Sequence, residues 1–457
     1  MRNFIVPILF ACSLPSLAVA QDKDSITLRK LADEVLTHST AYENLRHLTK
    51  DIGGRLAGSP QMSKAEQWGV AALKAAGADT VYLQECMVPH WVRGAREEAR
   101  IISKRRDFIP PLNVLALGNS VGSGPNGVTA GVLEVASFDE LEAKKDQVKG
   151  KIVFYNVRFK PEYIKTFHSY GDAVKYRGQG ASRAAKYGAV AVIVRSMSHG
   201  ANNFPHTGAM GYDTAYPKIP AVAIGLEDAD RLSLRLKDDT DAKVFLRTNC
   251  EMLKDVVGHN VIGELKGRKY PDQYITVGGH LDSWDVAEGA HDDGAGCVQS
   301  IEVLRALKAQ GIQPEHTLRV VLFANEENGT RGGKKYAALA KAKKEQHVFA
   351  LESDAGGFTP RGFMTTLPAD KKAKMDSWKP LFAPYGIYDF DEQGGGVDVG
   401  QLNEAIGTPM AELSPDSQRY FDYHHAANDV FEAVNKRELE LGAFGMAGLI
   451  YLVDQNF

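Results

Sequence analysis

Cysteine is scarce in this chain: four in 457 residues, one of them Cys12 inside an apolar leader, which leaves Cys86, Cys250 and Cys297. Three scattered thiols exclude a disulfide framework and a cysteine zinc site. They allow at most one internal disulfide, and each reads as a small buried apolar residue. An excess of one charge is also missing. Lysine plus arginine number 54 against 57 for aspartate plus glutamate, and no run of like charge exceeds a few residues, so nothing marks a nucleic acid as partner. Beyond residue 20 no apolar run approaches the roughly 20 residues of a membrane span. Neither an internal repeat nor a low-complexity segment is visible.

What is present begins with MRNFIVPILFACSLPSLAVA: a cation at Arg2, an apolar stretch from Phe4 to Cys12, and small residues at Ala18 and Ala20 ahead of polar QDKDS. This is the pattern of a secretory signal, residues 1–20, with cleavage expected after Ala20 and an exported protein, periplasmic or extracellular. A lipid anchor on Cys12 is the alternative, and bulky Phe10 weakens it. A chain of 457 residues is too long for one core, and about two domains are expected.

Between Leu28 and Val92, LRKLADEVL has helical spacing, SKAEQWGVAALKAAG reads as a helix capped by Ser63 and stopped at Gly77, and VYLQECMVPHW alternates like a strand. After the turn-rich GNSVGSGPNG, short apolar strands dominate from Gly122 to Cys250, with ASRAAKYGA as the one clear helix. From Asn260 to Phe457 strands and helices alternate: ITVGGHLD, VQSIEVLRALKAQG, TLRVVLFAN, GGKKYAALAKAK, VFALESD. The predicted fold is α/β, a mostly parallel mixed sheet flanked by helices. Residues 21–121 and 251–457 form it, and a β-rich domain, 122–250, is inserted.

Open α/β sheets hold ligands beyond the carboxyl ends of their strands, and there the chemistry collects. His280 and Asp282 follow the strand ITVG, and Asp292 and Asp293 precede the helix that begins near Ala295. Imidazole nitrogen and carboxylate oxygen are zinc donors, and Asp282 is expected to orient the His280 ring from behind. Glu326 and Glu327 stand after an apolar strand. Adjacent carboxylates there need cations or a proton, and pointing in different directions they can serve as a ligand and as a general base. Asp354 ends the next strand, and His424 and His425 lie among aromatics in RYFDYHHAANDV. Singly, each has a plainer explanation. An Asp before a helix is usually a cap, the glutamates could sit on a solvated loop, and an HH pair is weak evidence. Jointly the residues exceed what a cap explains.

HLDSWDV with DDGAG, NEENG, ESDAGG and YHH ahead of Asp429 resemble the motifs of the co-catalytic zinc exopeptidases that include bacterial leucyl aminopeptidases and prostate-specific membrane antigen. The likeness is greatest to the carboxypeptidase Q group. It extends through GGRLAGS, PHWVRG, GKIVFYN, PHTGAMGY and GGGVDV. The resemblance implies the zinc exopeptidase fold with a protease-associated insert, and two zinc ions per chain. His280 and Asp354 would hold one ion, Glu327 and His425 the other, Asp292 would bridge them, and Glu326 would be the general base. The peptide bond before Asp293 would be cis. His424 stands where membrane-antigen-type members carry a tyrosine that binds the oxyanion, so His424 or another residue would take that role. The implied substrate is a dipeptide or short peptide, read as a carboxypeptidase or an aminopeptidase, and a homodimer is the assembly allowed. The polar loop FPHTGAMGY of the insert is expected to face the metals, with His206 holding a substrate end. A receptor-like homologue without catalysis and a single-zinc glutaminyl cyclase are the alternatives. Filled ligand positions argue against the first, and the insert against the second.

Overall fold

The computed structural model describes residues 16–104 and 108–457. The expected signal, 1–20, lies outside the described residues except for the start of the helix Ser16–His38.

The expected helix after GGRLAGS runs from Pro60 to Ala75 and its cap is Ser59, not Ser63. The Ser59 hydroxyl accepts the Met62 N–H at 3.1 Å, and Pro60 takes the first helical position, where its missing N–H costs nothing. Gly77 follows the last turn at φ 93°, a conformation that ends a helix readily only at glycine.

Two seven-stranded sheets organise the chain. The first is built, edge to edge, from Thr80–Val88, Val256–Leu265, His316–Phe323, Tyr270–His280, Gln346–Glu352, Met410–Pro415 and Pro360–Thr365. Its centre is parallel and its outer pairings are antiparallel. Helices Pro60–Ala75, Ala295–Ala309, Arg331–Lys343 and Lys436–Asn456 flank it. Val277, Val320, Leu322, Phe349 and Leu351 point into one core and are fully buried.

The second sheet begins earlier than residue 122. Glu98–Ile102 and Val114–Ala116 belong to it, alongside Lys243–Arg247, Val128–Val135, Ile152–Tyr155, Ala191–Arg195 and Ala221–Ile224. A two-stranded ribbon of Trp91–Val92 with Glu251–Met252 closes its base. The turn-rich GNSVGSGPNG lies within this unit rather than ahead of it: its Ser123 N–H bonds back to the Thr248 carbonyl at 3.1 Å. The helical content is also larger than one segment. ASRAAKYGA falls in a helix that starts at Thr166 and reaches Ala185. IPAVAIGLEDADRL divides into the strand Ala221–Ile224 and a helix Leu226–Asp238, whose buried Leu226, Ala229 and Leu232 recur at helical spacing.

Cys86, Cys250 and Cys297 are free and buried, as small apolar residues are. Among the described residues no helix is long and apolar enough to cross a membrane.

Candidate metal centre

His280 is the last residue of a central parallel strand, Glu326 and Glu327 follow the neighbouring strand on one side, and Asp354 follows the neighbour on the other. Asp292 reaches the same place from the loop ahead of Ala295. That loop can press against the sheet because Gly279 and Gly296 lack side chains. A Cβ on Gly279 would stand 2.4 Å from Asp293 Oδ2, and one on Gly296 would stand 1.9 Å from the Ser353 carbonyl. The peptide bond between Asp292 and Asp293 is cis, as the resemblance implies.

The side chains meet in two overlapping groups. His280, Asp292 and Asp354 each present one donor atom within 4.8 Å of the others, and so do Asp292, His424 and His425. His280 Nε2 is 3.3 Å from Asp292 Oδ1 and 3.2 Å from Asp354 Oδ1. His425 Nε2 is 3.2 Å from Asp292 Oδ2 and 3.1 Å from Glu327 Oε2. Asp292 is therefore common to both halves. His424 Nε2 stands farther off, 3.9 Å from Asp292 Oδ2, and its ring stacks on His425 with centroids 3.6 Å apart.

Both imidazoles are oriented by main-chain carbonyls. His280 Nδ1 faces the Asp282 carbonyl oxygen at 3.0 Å, and His425 Nδ1 faces that of Thr207 at 3.3 Å. An Nδ1–H donated to a carbonyl leaves the Nε2 lone pair for the cluster. The Asp282 carboxylate is only a distant partner of the ring, at 3.7 Å. It is engaged instead by the N–H groups of Glu326 at 2.9 Å and Glu327 at 3.3 Å. Asp293 ties the other side, accepting the His280 N–H at 3.0 Å and the Gly296 N–H at 2.9 Å.

The adjacent glutamates diverge. Asn325, at φ 61°, turns the chain just ahead of them. Both line a cavity of about 480 Å³ with Asp354, Glu412, Arg177 and His424, but Glu327 leans onto His425 and is buried, whereas Glu326 is partly exposed. A cavity of about 720 Å³ adjoins it through Phe167 and Met364.

Burial pushes the Glu326 carboxyl well above the usual carboxylate range, with Asp354 and Glu327 adding to the rise against His280. Burial and then the charge of Asp292 push Glu327 up to about 7. Burial works the same way on Asp292, but the imidazoles of His280 and His425 overcome it and hold that carboxyl low. Asp292 Oδ2 and both carboxylate oxygens of Glu327 are buried with no hydrogen bond. Oxygens left in that state at the meeting point of two imidazoles fit a divalent cation, which removes the desolvation cost of each.

Sequence reasoning missed two supporting residues. Arg55, fully buried, donates to the carbonyls of Leu281 at 2.5 Å, Glu288 at 2.7 Å and Gly289 at 3.0 Å. Asp429 accepts the N–H groups of His291 at 2.7 Å and Asp292 at 3.2 Å. Both stand in segments that resemble the family, GGRLAGS and the stretch after YHH, but only the folded chain brings them to the metal-side loop. The insert loop does reach the cluster, through Thr207 rather than His206: the Thr207 N–H bonds to the His425 carbonyl at 3.0 Å. His206 is buried beneath, with both ring nitrogens unpartnered, and does not line the cavity.

The description of peptidase family M28 matches residues 260–449, and that of the PA domain matches residues 118–232. Carboxypeptidase Q of Homo sapiens is 37% identical over 90% of this chain and 85% of its own length. A peptidase M28 precursor from Shewanella amazonensis superposes with a TM-score of 0.90 at 33% identity, covering 95% of this chain and 97% of that one. A zinc aminopeptidase from Bacillus subtilis shares the fold at 20% identity, with a TM-score of 0.64 over 91% of this chain and 95% of that one.

Proposed function

The chain belongs to peptidase family M28, and from that premise we propose that it is a di-zinc exopeptidase that hydrolyses the peptide bond of dipeptides or short peptides in the manner of carboxypeptidase Q. The observation that carries the reading is the divergence of Glu326 and Glu327 on the wall of one cavity, Glu327 buried against His425 and Glu326 partly exposed. Separating a ligand from a base is what metal-assisted hydrolysis requires.

His280 and Asp354 would hold one zinc and Glu327 and His425 the other, with Asp292 common to both sets. The zinc aminopeptidase with this fold supports the choice of metal. Zinc bound there supplies Lewis acidity toward the peptide carbonyl and a water acidic enough to lose its proton near neutral pH. Glu326, partly exposed on the cavity wall, would take a proton from the attacking water and return it to the leaving amine. Asp282 holds the loop that carries both glutamates, and His424, on the cavity wall, is the proposed donor to the oxyanion. Residues 122–250, extended forward to the ribbon at Trp91, are the protease-associated insert, and 251–457 with the stretch before the ribbon form the catalytic domain. Export to the periplasm or beyond is part of the same proposal, supported by the signal-like leader.

Metal analysis together with peptide kinetics tests this. Two zinc ions per chain and cleavage of free dipeptides are expected. One ion would favour the cyclase, and none, with no hydrolysis, the receptor-like reading.

A further inference from the structure

Glu412 stands on the strand Met410–Pro415, in register with Glu352 on one side and Met364 on the other. It is 8% exposed and lines the cavity that also holds Glu326 and Asp354. Buried Asp398 also lacks hydrogen-bond partners but does not line this cavity, and Glu327 leans onto His425, whereas other buried carboxylates rest on backbone donors. Glu352 accepts the N–H groups of Val399 at 2.7 Å and Asp398 at 3.3 Å, and Asp282 and Asp429 likewise rest on backbone donors. Among the described residues no donor reaches Glu412, and the charged groups that act on it, Asp354 first and then Glu352 and Glu392, are all acidic. A carboxylate on an anionic cavity wall, with no protein donor or cation beside it, is stabilised by a cationic group that enters the cavity and pairs with it.

Opposite in sign, Arg177 is the one arginine or lysine among the described residues on the wall of this cavity. Its Nη1 lies 3.4 Å from His425 Nδ1, and its Nε is buried without a partner. The side of the cavity next to Asp354 is thus anionic, and the side next to His425 carries a cation. A zwitterionic peptide is oriented by such a field.

We propose that Glu412 binds the α-ammonium group of the substrate, on the amino side of the bond that is cut. This rests on the peptidase reading of the same cavity. The α-ammonium is favoured over a lysine or arginine side chain because Asp354, a donor of the cluster itself, is the foremost charged neighbour of Glu412. An α-ammonium is one carbon from the scissile carbonyl, whereas a side-chain cation is carried several bonds away. Glu412 is a specificity residue: it contacts the substrate and is not a metal ligand.

The test compares Leu–Gly with N-acetyl-Leu–Gly on the zinc-loaded enzyme. The wild type is expected to prefer the free amine by about tenfold or more in kcat/KM, the scale on which a buried charge partner is read. Glu412→Gln, nearly isosteric, should lose activity mainly on the free dipeptide through a raised KM, so that the ratio of free to acetylated substrate collapses toward one. Glu412→Asp, which withdraws the carboxylate but keeps its charge, should retain part of the ratio. Zinc content and melting temperature of both variants identify any loss due to misfolding. A wild type indifferent to acetylation overturns the proposal, and so does a Glu412→Gln enzyme that keeps the full ratio. If Glu412→Gln fails only on peptides with lysine or arginine on the amino side, the carboxylate reads a side chain and the α-ammonium assignment is wrong. A wild type that binds zinc but cleaves neither peptide defeats the peptidase reading itself, and the anchor with it.

Discussion

The Asp282 carboxylate accepts the backbone N–H of Glu326 at 2.9 Å although the two residues are 44 positions apart. The second oxygen takes the N–H of Glu327 at 3.3 Å. One side chain therefore joins the loop after the His280 strand to the loop that carries the proposed base, and fixes how the two glutamates diverge. Buried carboxylates that accept backbone N–H groups make strong, directional bonds.

Asp282→Asn should break that joint. An amide offers one acceptor oxygen and sets its NH₂ against the second N–H, leaving a buried donor unsatisfied at about 1–3 kcal/mol. A lower melting temperature is expected, with kcat/KM down by roughly 10–100-fold, the range seen when outer-shell partners of metal sites are lost. Native stability and turnover in this variant would remove Asp282 from the positioning role.

Glu326→Gln and Glu327→Gln should separate base from ligand. The first should keep two zinc ions and lose about 10²–10⁴-fold in turnover at any zinc concentration. The second should bind its second zinc more weakly, because an amide oxygen is a poorer donor than a carboxylate, and should recover in part when zinc is added. Metal titration followed by kinetics decides the assignment, and the roles are reversed if Glu326→Gln is the variant that loses metal.

Chelation should abolish hydrolysis and lower thermal stability together. Without a cation, Asp292, Glu327 and Asp354 face one another as buried acids, and a ligand that binds only the folded state stabilises it by mass action. Calorimetry before and after exhaustive dialysis against chelator, then with zinc restored, gives both readouts. Activity that survives metal-free dialysis would rule out the two-metal centre.

His206 should contribute to acid sensitivity rather than to substrate binding. Burial pushes its imidazole from the ordinary 6.5 down to about 3, so between those values the folded protein binds fewer protons at this site than the unfolded chain. Its contribution to stability is complete above pH 6.5 and declines as pH falls toward 3. His206→Gln cannot protonate there and should show a shallower decline in melting temperature on acidification, with KM little changed. Equal slopes in the two proteins would remove His206 as the source.

Local pattern pointed to the strands ITVGGHLD, TLRVVLFAN and VFALESD, because short apolar runs too brief for a helix, ending in polar residues and alternating with helical segments, fit buried parallel strands. It also picked out His280, Asp292, Glu326, Glu327, Asp354, His424 and His425, since each stands at the end of such a run or in a motif with a recognisable relative. Local pattern misled where one signal admits two structures. Ser63 reads as a cap but lies inside the helix that Ser59 caps, and the insert reads as starting at 122 although its sheet already takes in Glu98–Ile102 and Val114–Ala116.

Only the tertiary structure decided which of two adjacent glutamates packs against His425, that Asp282 serves the glutamate loop more closely than the His280 ring, and that Thr207 rather than His206 meets His425. Arg55, Asp429 and Glu412 belong to the same class. Their roles depend on which backbone donors or charges stand within a few ångströms, and strand pairing sets those neighbours across tens to hundreds of residues. Residue type and spacing carry the chemistry a side chain can perform, whereas its partners exist only once the sheet has brought distant loops to one end.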